Sequence, residues 1–157
     1  MNLFLGNILL ALVWTILTGR FTPLNLLGGF LLGYVILFST RHALGGSRYF
    51  IKAGQALSFF LFFFKELVLS NFRVAYDVIT PSFQMRPAVL AIPLDVSTPT
   101  EITLLANLIT LTPGTLSLDV SDDRKVLYVH AMFVDDPDKV RASIKDGFER
   151  RVIELLR

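Results

Sequence analysis

The chain opens on two apolar runs without a charge, residues 3–18 (LFLGNILLALVWTILT) and 24–38 (LNLLGGFLLGYVILF). Between them stands Gly19-Arg20-Phe21-Thr22-Pro23. Gly19 suits the end of a helix, and Thr22 suits an N-cap with Pro23 at the first helical position. The pattern predicts a tight transmembrane helical hairpin over residues 1–40. Each run alone is close to the lower limit for crossing, since about 20 residues span a typical hydrocarbon core, and the caps lengthen both. A secretory signal is disfavoured: no Lys or Arg precedes the first run, no small-x-small cleavage site follows it, and a second run comes at once. Gly29 and Gly33 form a G-x-x-x-G that admits a close neighbour, either the first helix or another chain.

From Tyr49 to Ile79 no proline interrupts. At 100° per residue, Lys52, Gln55, Ser58, Lys65, Glu66, Ser70, Arg73 and Asp77 fall within an arc of about 140°. Ala53, Leu57, Phe60, Leu61, Phe63, Phe64, Leu67, Val68, Val74, Ala75, Val78 and Ile79 occupy the remaining arc, where Asn71 is the one polar intruder. Phe59, Phe62, Leu69 and Tyr76 break into the polar arc, so the stripe is mixed. This is the pattern of a long amphipathic helix, lying in a membrane interface or packed against protein. Its polar arc, with Lys65, Glu66, Arg73 and Asp77, is then a wet or partner-facing side. A third span with Lys65 and Glu66 near one end is the other arrangement the pattern allows. Residues 41–80 thus read as a loop, with Gly45-Gly46-Ser47, followed by this helix.

After Thr80-Pro81 the texture changes. Residues 88–96 (AVLAIPLDV) read as a strand. Thr98-Pro99-Thr100-Glu101 is a capping box opening a helix to about Leu111, which Thr112-Pro113-Gly114 stops. Thr115–Val120 alternates as a half-buried strand does, Ser121–Lys125 is a polar turn, and Val126–Phe133 is the return strand. Asp135-Asp136-Pro137-Asp138 opens a last helix with Val140, Ile144, Phe148, Val152 and Leu155 on one face. The order β-α-β-β-α over residues 81–157 predicts a small α+β domain with a mainly antiparallel sheet.

Composition sharpens this. Of 157 residues, 53% are apolar, and the mean hydropathy of +0.58 exceeds that of an ordinary soluble domain. Residues 1–80 carry six Lys/Arg against two acids, a net of 6 − 2 = +4; residues 81–157 carry nine against eleven, a net of 9 − 11 = −2. The positive charge sits in the apolar half, which fits anionic headgroups and not nucleic acid. Arg41, Arg48 and Lys52 follow the second run, against Arg20 alone between the two runs. The positive-inside rule therefore places that loop, the N-terminus and, if the long helix does not cross, the C-terminal domain in the cytoplasm.

No catalytic constellation, cofactor motif or metal-ligand spacing is present, and an enzyme is not expected. Cysteine is absent, which removes disulfides, thiol catalysis and cysteine-held metals. His42 and His130 are single. Asp119, Asp122 and Asp123, like Asp135, Asp136 and Asp138, cluster at turns without calcium-loop spacing. The two apolar runs hold no Asp, Glu, Lys, Arg or His, whereas proton and sodium paths are built from such groups. Beside a transport role stands a second reading, a membrane-anchored α+β interaction module not tied to transport.

The run Leu104-Leu105-Ala106-Asn107-Leu108-Ile109-Thr110-Leu111-Thr112-Pro113-Gly114-Thr115-Leu116 leads into Leu118-Asp119-Val120-Ser121-Asp122-Asp123 and Leu127-Tyr128-Val129-His130. With Lys65-Glu66-Leu67, Ser70-Asn71, Ile92-Pro93-Leu94-Asp95 and Phe148-Glu149-Arg150-Arg151, it resembles the E subunit of the bacterial Mrp-type multisubunit sodium/proton antiporter, the MnhE/MrpE family. The resemblance covers essentially the whole chain. It implies a multi-pass subunit of the bacterial inner membrane, with the other antiporter subunits and the bilayer as partners and no cofactor. It implies a supporting part in assembly or stability, with the proton paths in larger subunits. It also marks Thr112, Pro113 and Gly114, with Asn107, as an assembly or docking corner, beside the alternative that these residues only fix the exit of a helix and the entry to a strand.

Overall fold

The computed structural model describes residues 3–41, 47–80 and 85–157. Gly45-Gly46 of the basic loop, His42 and the Pro81 break lie outside the described residues. Contacts group the chain into two compact units, Met1–Gly54 and Gln55–Arg157.

In the first unit, α1 (Leu3–Thr18) and α2 (Pro23–Ser39) pack as an antiparallel pair. The turn forms as its residues dictate. Gly19 adopts φ +65°, and the Thr22 side chain caps the Asn25 N–H with Pro23 next in line. Asn25 adds ties absent from the sequence reading: its side-chain amide donates to the Thr18 hydroxyl and the Arg20 carbonyl, each at 2.7 Å, and its Oδ1 accepts from Trp14 Nε1 at 3.0 Å. The neighbour of the G-x-x-x-G is α1. A Cβ on Gly29 would lie 2.9 Å from Trp14 Cβ, and one on Gly33 would collide with Asn7 Oδ1 and stand 3.1 Å from Leu10 Cβ. Asn7, Ala11 and Thr15, four residues apart, are buried; they form the narrow stripe that lets the backbones approach. Asn7 Nδ2 also donates to the Tyr49 hydroxyl at 2.9 Å. That tie joins α1 to the start of α3 (Ser47–Ile79), where Tyr49 lies against Phe4, Tyr34 and Phe50.

The second unit contains α3 from Gln55 onward and the α+β domain. The strands are β1 (Ala88–Pro93), β2 (Thr115–Val120) and β3 (Val126–Ala131). They form an antiparallel sheet in the order β1-β3-β2. Helix α4 (Pro99–Leu111) begins with the full capping box of Thr98 and Glu101. Ile92, Leu105, Ile109, Leu127, Val129 and Val152 are buried at the centre of the core.

Strand β1 stops at Pro93 and not at Val96. The reason is Glu149, whose buried carboxylate accepts the N–H groups of Asp95 at 2.6 Å and Val96 at 3.0 Å. Lys145 Nζ bridges Glu149 at 2.7 Å and Asp95 at 2.6 Å. Burial works against the Lys145 charge, but its hydrogen bonds to Asp95 and Glu149 prevail and raise its pKa.

The last helix is not uniform. Helix α5 (Pro137–Ala142) runs into a π-helical stretch, Ser143–Glu149, and then α6 (Arg150–Leu156). Its inward residues Val140, Ile144, Phe148 and Val152 repeat every fourth position. On an α-helix such a stripe rotates by about 40° per step, because 3.6 residues make a turn. The i→i+5 bonding of the π stretch places more residues in each turn and turns the stripe back toward the core.

Two outcomes follow. Gly33→Leu should destabilise the helical pair far more than Gly6→Leu, since a Cβ on Gly6 meets nothing within 4 Å; comparing the thermal stability of the two variants in detergent checks this, and equal loss would remove the close-packing role. The second concerns acid. Glu101 accepts from Arg157 at 2.9 Å and from the Ser97 and Thr98 N–H groups; the Arg157 hydrogen bond first, then the backbone donors, lower its pKa from 4.5 to about 2. A carboxylate depressed on folding stabilises fully above its unfolded value, and that contribution fades as pH falls from 4.5 toward about 2. Glu101→Gln should therefore be less stable than wild type at neutral pH, with a flatter acid limb in unfolding followed by circular dichroism.

Candidate functional site

Helix α3 meets the domain through the side that the sequence reading left wet or open to a partner. Phe59, Phe62 and Phe63 pack against the domain core. Phe62 is held from three sides: its ring stands edge-on to Phe148 at 5.3 Å, Arg151 lies 3.8 Å over its face, and a Cβ on Gly147 would come within 3.1 Å of it. Phe59 and Phe62, which interrupt the polar arc in the sequence pattern, are thus its anchors. Leu57, Phe60, Leu61, Phe64 and Phe72 stay exposed.

C-terminal to this anchor a cavity of about 300 Å³ opens between α3 and the domain. Glu66, Ser70 and Arg73 of α3 form one wall, and Thr112-Pro113-Gly114 lies across from them. Two groups of residues predicted separately from the sequence therefore share one site. The corner is built locally. The Thr112 N–H closes α4 on Ile109, and the Thr112 hydroxyl donates to the Leu108 carbonyl at 2.9 Å. Gly114 then takes φ +88°, a left-handed conformation that favours glycine. A Cβ there would touch Phe133 at 3.4 Å.

Arg73 sits 6.0 Å over the Phe133 ring and also lines a second cavity with Asp77, Met85 and Arg86. Asp77 is 7% exposed, so the polar arc is not uniformly wet. Lys65 is exposed outside the groove, and so is Asn107. Gly29 and Gly33 belong to the helical pair. Sequence reasoning missed Phe133, Ser143 and Lys139, which line the groove from β3's end and the last helix; only the domain's folding brings them there. Among the described residues no group of His, Asp and Glu is arranged to hold a metal.

An apolar helical pair, a long helix with an exposed apolar face and a compact α+β domain are the features of a membrane protein that carries a small folded module. Residues 7–155 match the MNHE family, described as "Na+/H+ ion antiporter subunit". The chain is 38% identical over 149 residues to the E subunit of the Na(+)/H(+) antiporter of Alkalihalophilus pseudofirmus, covering 95% of this chain and 94% of that one. It is 36% identical over 151 residues to the corresponding E subunit of Bacillus subtilis, covering 96% of each. A chain in the structure of the Mrp complex from Dietzia sp. superposes with a TM-score of 0.51 at 31% identity, over 65% of this chain and 96% of that chain. The archaeal membrane-bound sulfane sulfur reductase, at 22% identity and a TM-score of 0.57 over 99% of this chain and 98% of its own, shares the fold. The chain belongs to the MnhE family of Na+/H+ ion antiporter subunits.

Proposed function

We propose that this chain is an accessory subunit that joins other subunits of a multisubunit Na+/H+ antiporter and supports their assembly without forming the ion path. The observation that carries this is the neutrality of the helical pair. Its fully buried polar side chains are Asn7 and Thr15, and neither can exchange a proton near neutral pH. The Thr15 hydroxyl is used locally, donating to the Leu12 carbonyl at 2.8 Å. An ion path would need titratable or anionic groups at that depth. The relatives' names, and the multisubunit Mrp complex in which a similar chain was solved, support the setting.

In this reading α3 lies along the cytoplasmic membrane surface, and the α+β domain is cytoplasmic. A length argument supports it. The stretch Arg48–Ile79 is long and apolar enough to cross a bilayer. However, from Phe59 onward α3 carries the domain. Sinking that half would draw Glu66, Arg73 and Arg151 into hydrocarbon. The part that does not carry the domain, residues 47–58, is about 18 Å long at 1.5 Å per residue, short of the roughly 30 Å core. A surface helix instead keeps Phe60, Phe64 and Phe72 against lipid and the domain in water.

Two experiments test this. In everted vesicles, the double variant Thr15→Val/Lys65→Gln should retain normal exchange per assembled complex; abolished exchange at normal assembly would place this chain in the ion path. A periplasm-active reporter fused after Arg157 should stay silent while a cytoplasm-active one works, and strong periplasmic activity would mean that α3 crosses.

A further inference from the structure

We infer that the groove between α3 and the Thr112-Pro113-Gly114 corner holds the headgroup of a phospholipid bearing both a phosphate and a primary ammonium. The inference rests on the surface placement of α3.

The groove is not self-satisfied. Glu66 and Arg73 have no ion-pair partner among the described residues, and the hydroxyls of Ser70 and Ser143 make no hydrogen bond there. Opposite charges that line one cavity ordinarily close on each other or on a ligand. Here they stand seven residues apart on α3, a rise of about 10 Å. That separation suits a headgroup whose ammonium and phosphate are two carbons apart, with one charge-assisted contact of about 2.8 Å at each end. Arg73 supplies the cation for the phosphate, joined by Lys139, whose Nζ also stands 3.8 Å from Asp136; Glu66 supplies the anion for the ammonium, and Ser70 and Ser143 donors for phosphate oxygens. An anionic lipid lacking the ammonium would leave Glu66 facing a negative ligand.

The remainder of the lining is apolar. Ile109, Phe133 and Ile144 form walls against which a glycerol backbone can rest. Next along the helix, Leu69, Phe72 and Tyr76 are exposed. They offer acyl chains a route from the groove to the bilayer. A free headgroup would gain the charge contacts but none of this apolar burial, which identifies the lipid as the ligand.

The test uses the full chain in non-ionic detergent and native mass spectrometry of its lipid adducts. The probes are dioctanoyl phosphatidylethanolamine, phosphatidylcholine and phosphatidylglycerol, with water-soluble phosphoethanolamine as the headgroup alone. The ethanolamine lipid should be retained over the glycerol lipid by up to about fivefold, the worth of one solvent-accessible ion pair. The choline lipid should fall between them. Glu66→Gln should erase the preference without lowering retention of the glycerol lipid, and Arg73→Gln should lower retention of all three. Equal retention of the three lipids by wild type, preference for the glycerol lipid, or equal binding of phosphoethanolamine would each overturn the inference. So would a preference that survives Glu66→Gln in a variant whose hydrogen exchange matches wild type. The reporter fusion decides the placement of α3 separately, so a surface-lying α3 with no headgroup preference would end this inference alone.

Discussion

The seat of Phe62 on the last helix is the contact from which the second unit takes its arrangement. The ring is edge-on to Phe148, roofed by the Arg151 guanidinium and seated over Gly147, where a Cβ would stand a tight 3.1 Å from it. Burying one phenyl side chain is worth about 1.5–3 kcal/mol, and the edge-to-face pair adds roughly 0.5–1.5 kcal/mol. Phe59 and Phe63 join it at the core. Those contacts fix which side of α3 the domain covers. They turn Leu57, Phe60, Leu61 and Phe64 outward, because an α-helix cannot present both faces to one neighbour. In a soluble protein an outward face of that kind would be a liability; beside a membrane it is a second binding surface.

The seat for Phe62 depends in turn on two carboxylates. Glu149 binds the backbone where β1 ends, and Glu101 binds both its own helix start and Arg157 near the chain's last turn. Between them they hold the last helix to the β1–α4 connection at both ends of α6. A helix pinned this way cannot slide to bring a drifting stripe of side chains back to the core. The π stretch resolves the conflict by rewinding the helix locally, and Gly147 lies within it, under Phe62.

Much of this was legible in the sequence because the signals are local. Thr22-Pro23, Thr98 with Glu101, and the alternation of Thr115–Val120 each specify structure through residues within a few positions of one another. What the sequence could not supply is long-range. Periodicity says which residues of α3 share a face, but not which neighbour that face meets; Phe59 and Phe62 therefore read as blemishes when they are anchors. The strand's end at Pro93 depends on Glu149, more than fifty residues away. Asn7 gave no pattern signal either, since a lone polar residue in an apolar run has no partner until Tyr49 is brought to it. The meeting of Glu66 and Arg73 with Thr112-Pro113-Gly114 is of the same kind: each motif was visible, and only the fold puts them across one cavity.

The distribution of charge bears on how such a subunit would act. Glu66 and Arg73 line the groove, Arg151 covers Phe62, and α1 and α2 hold no Asp, Glu, Lys, Arg or His. In the proposed reading the helical pair, without a charged side chain, is an electrically silent anchor. A silent anchor can pack against neighbouring subunits without perturbing the pKa values of their proton-carrying residues, because an uncharged helix adds little Coulombic field even where the dielectric is low. Such a chain influences exchange through what it holds in place.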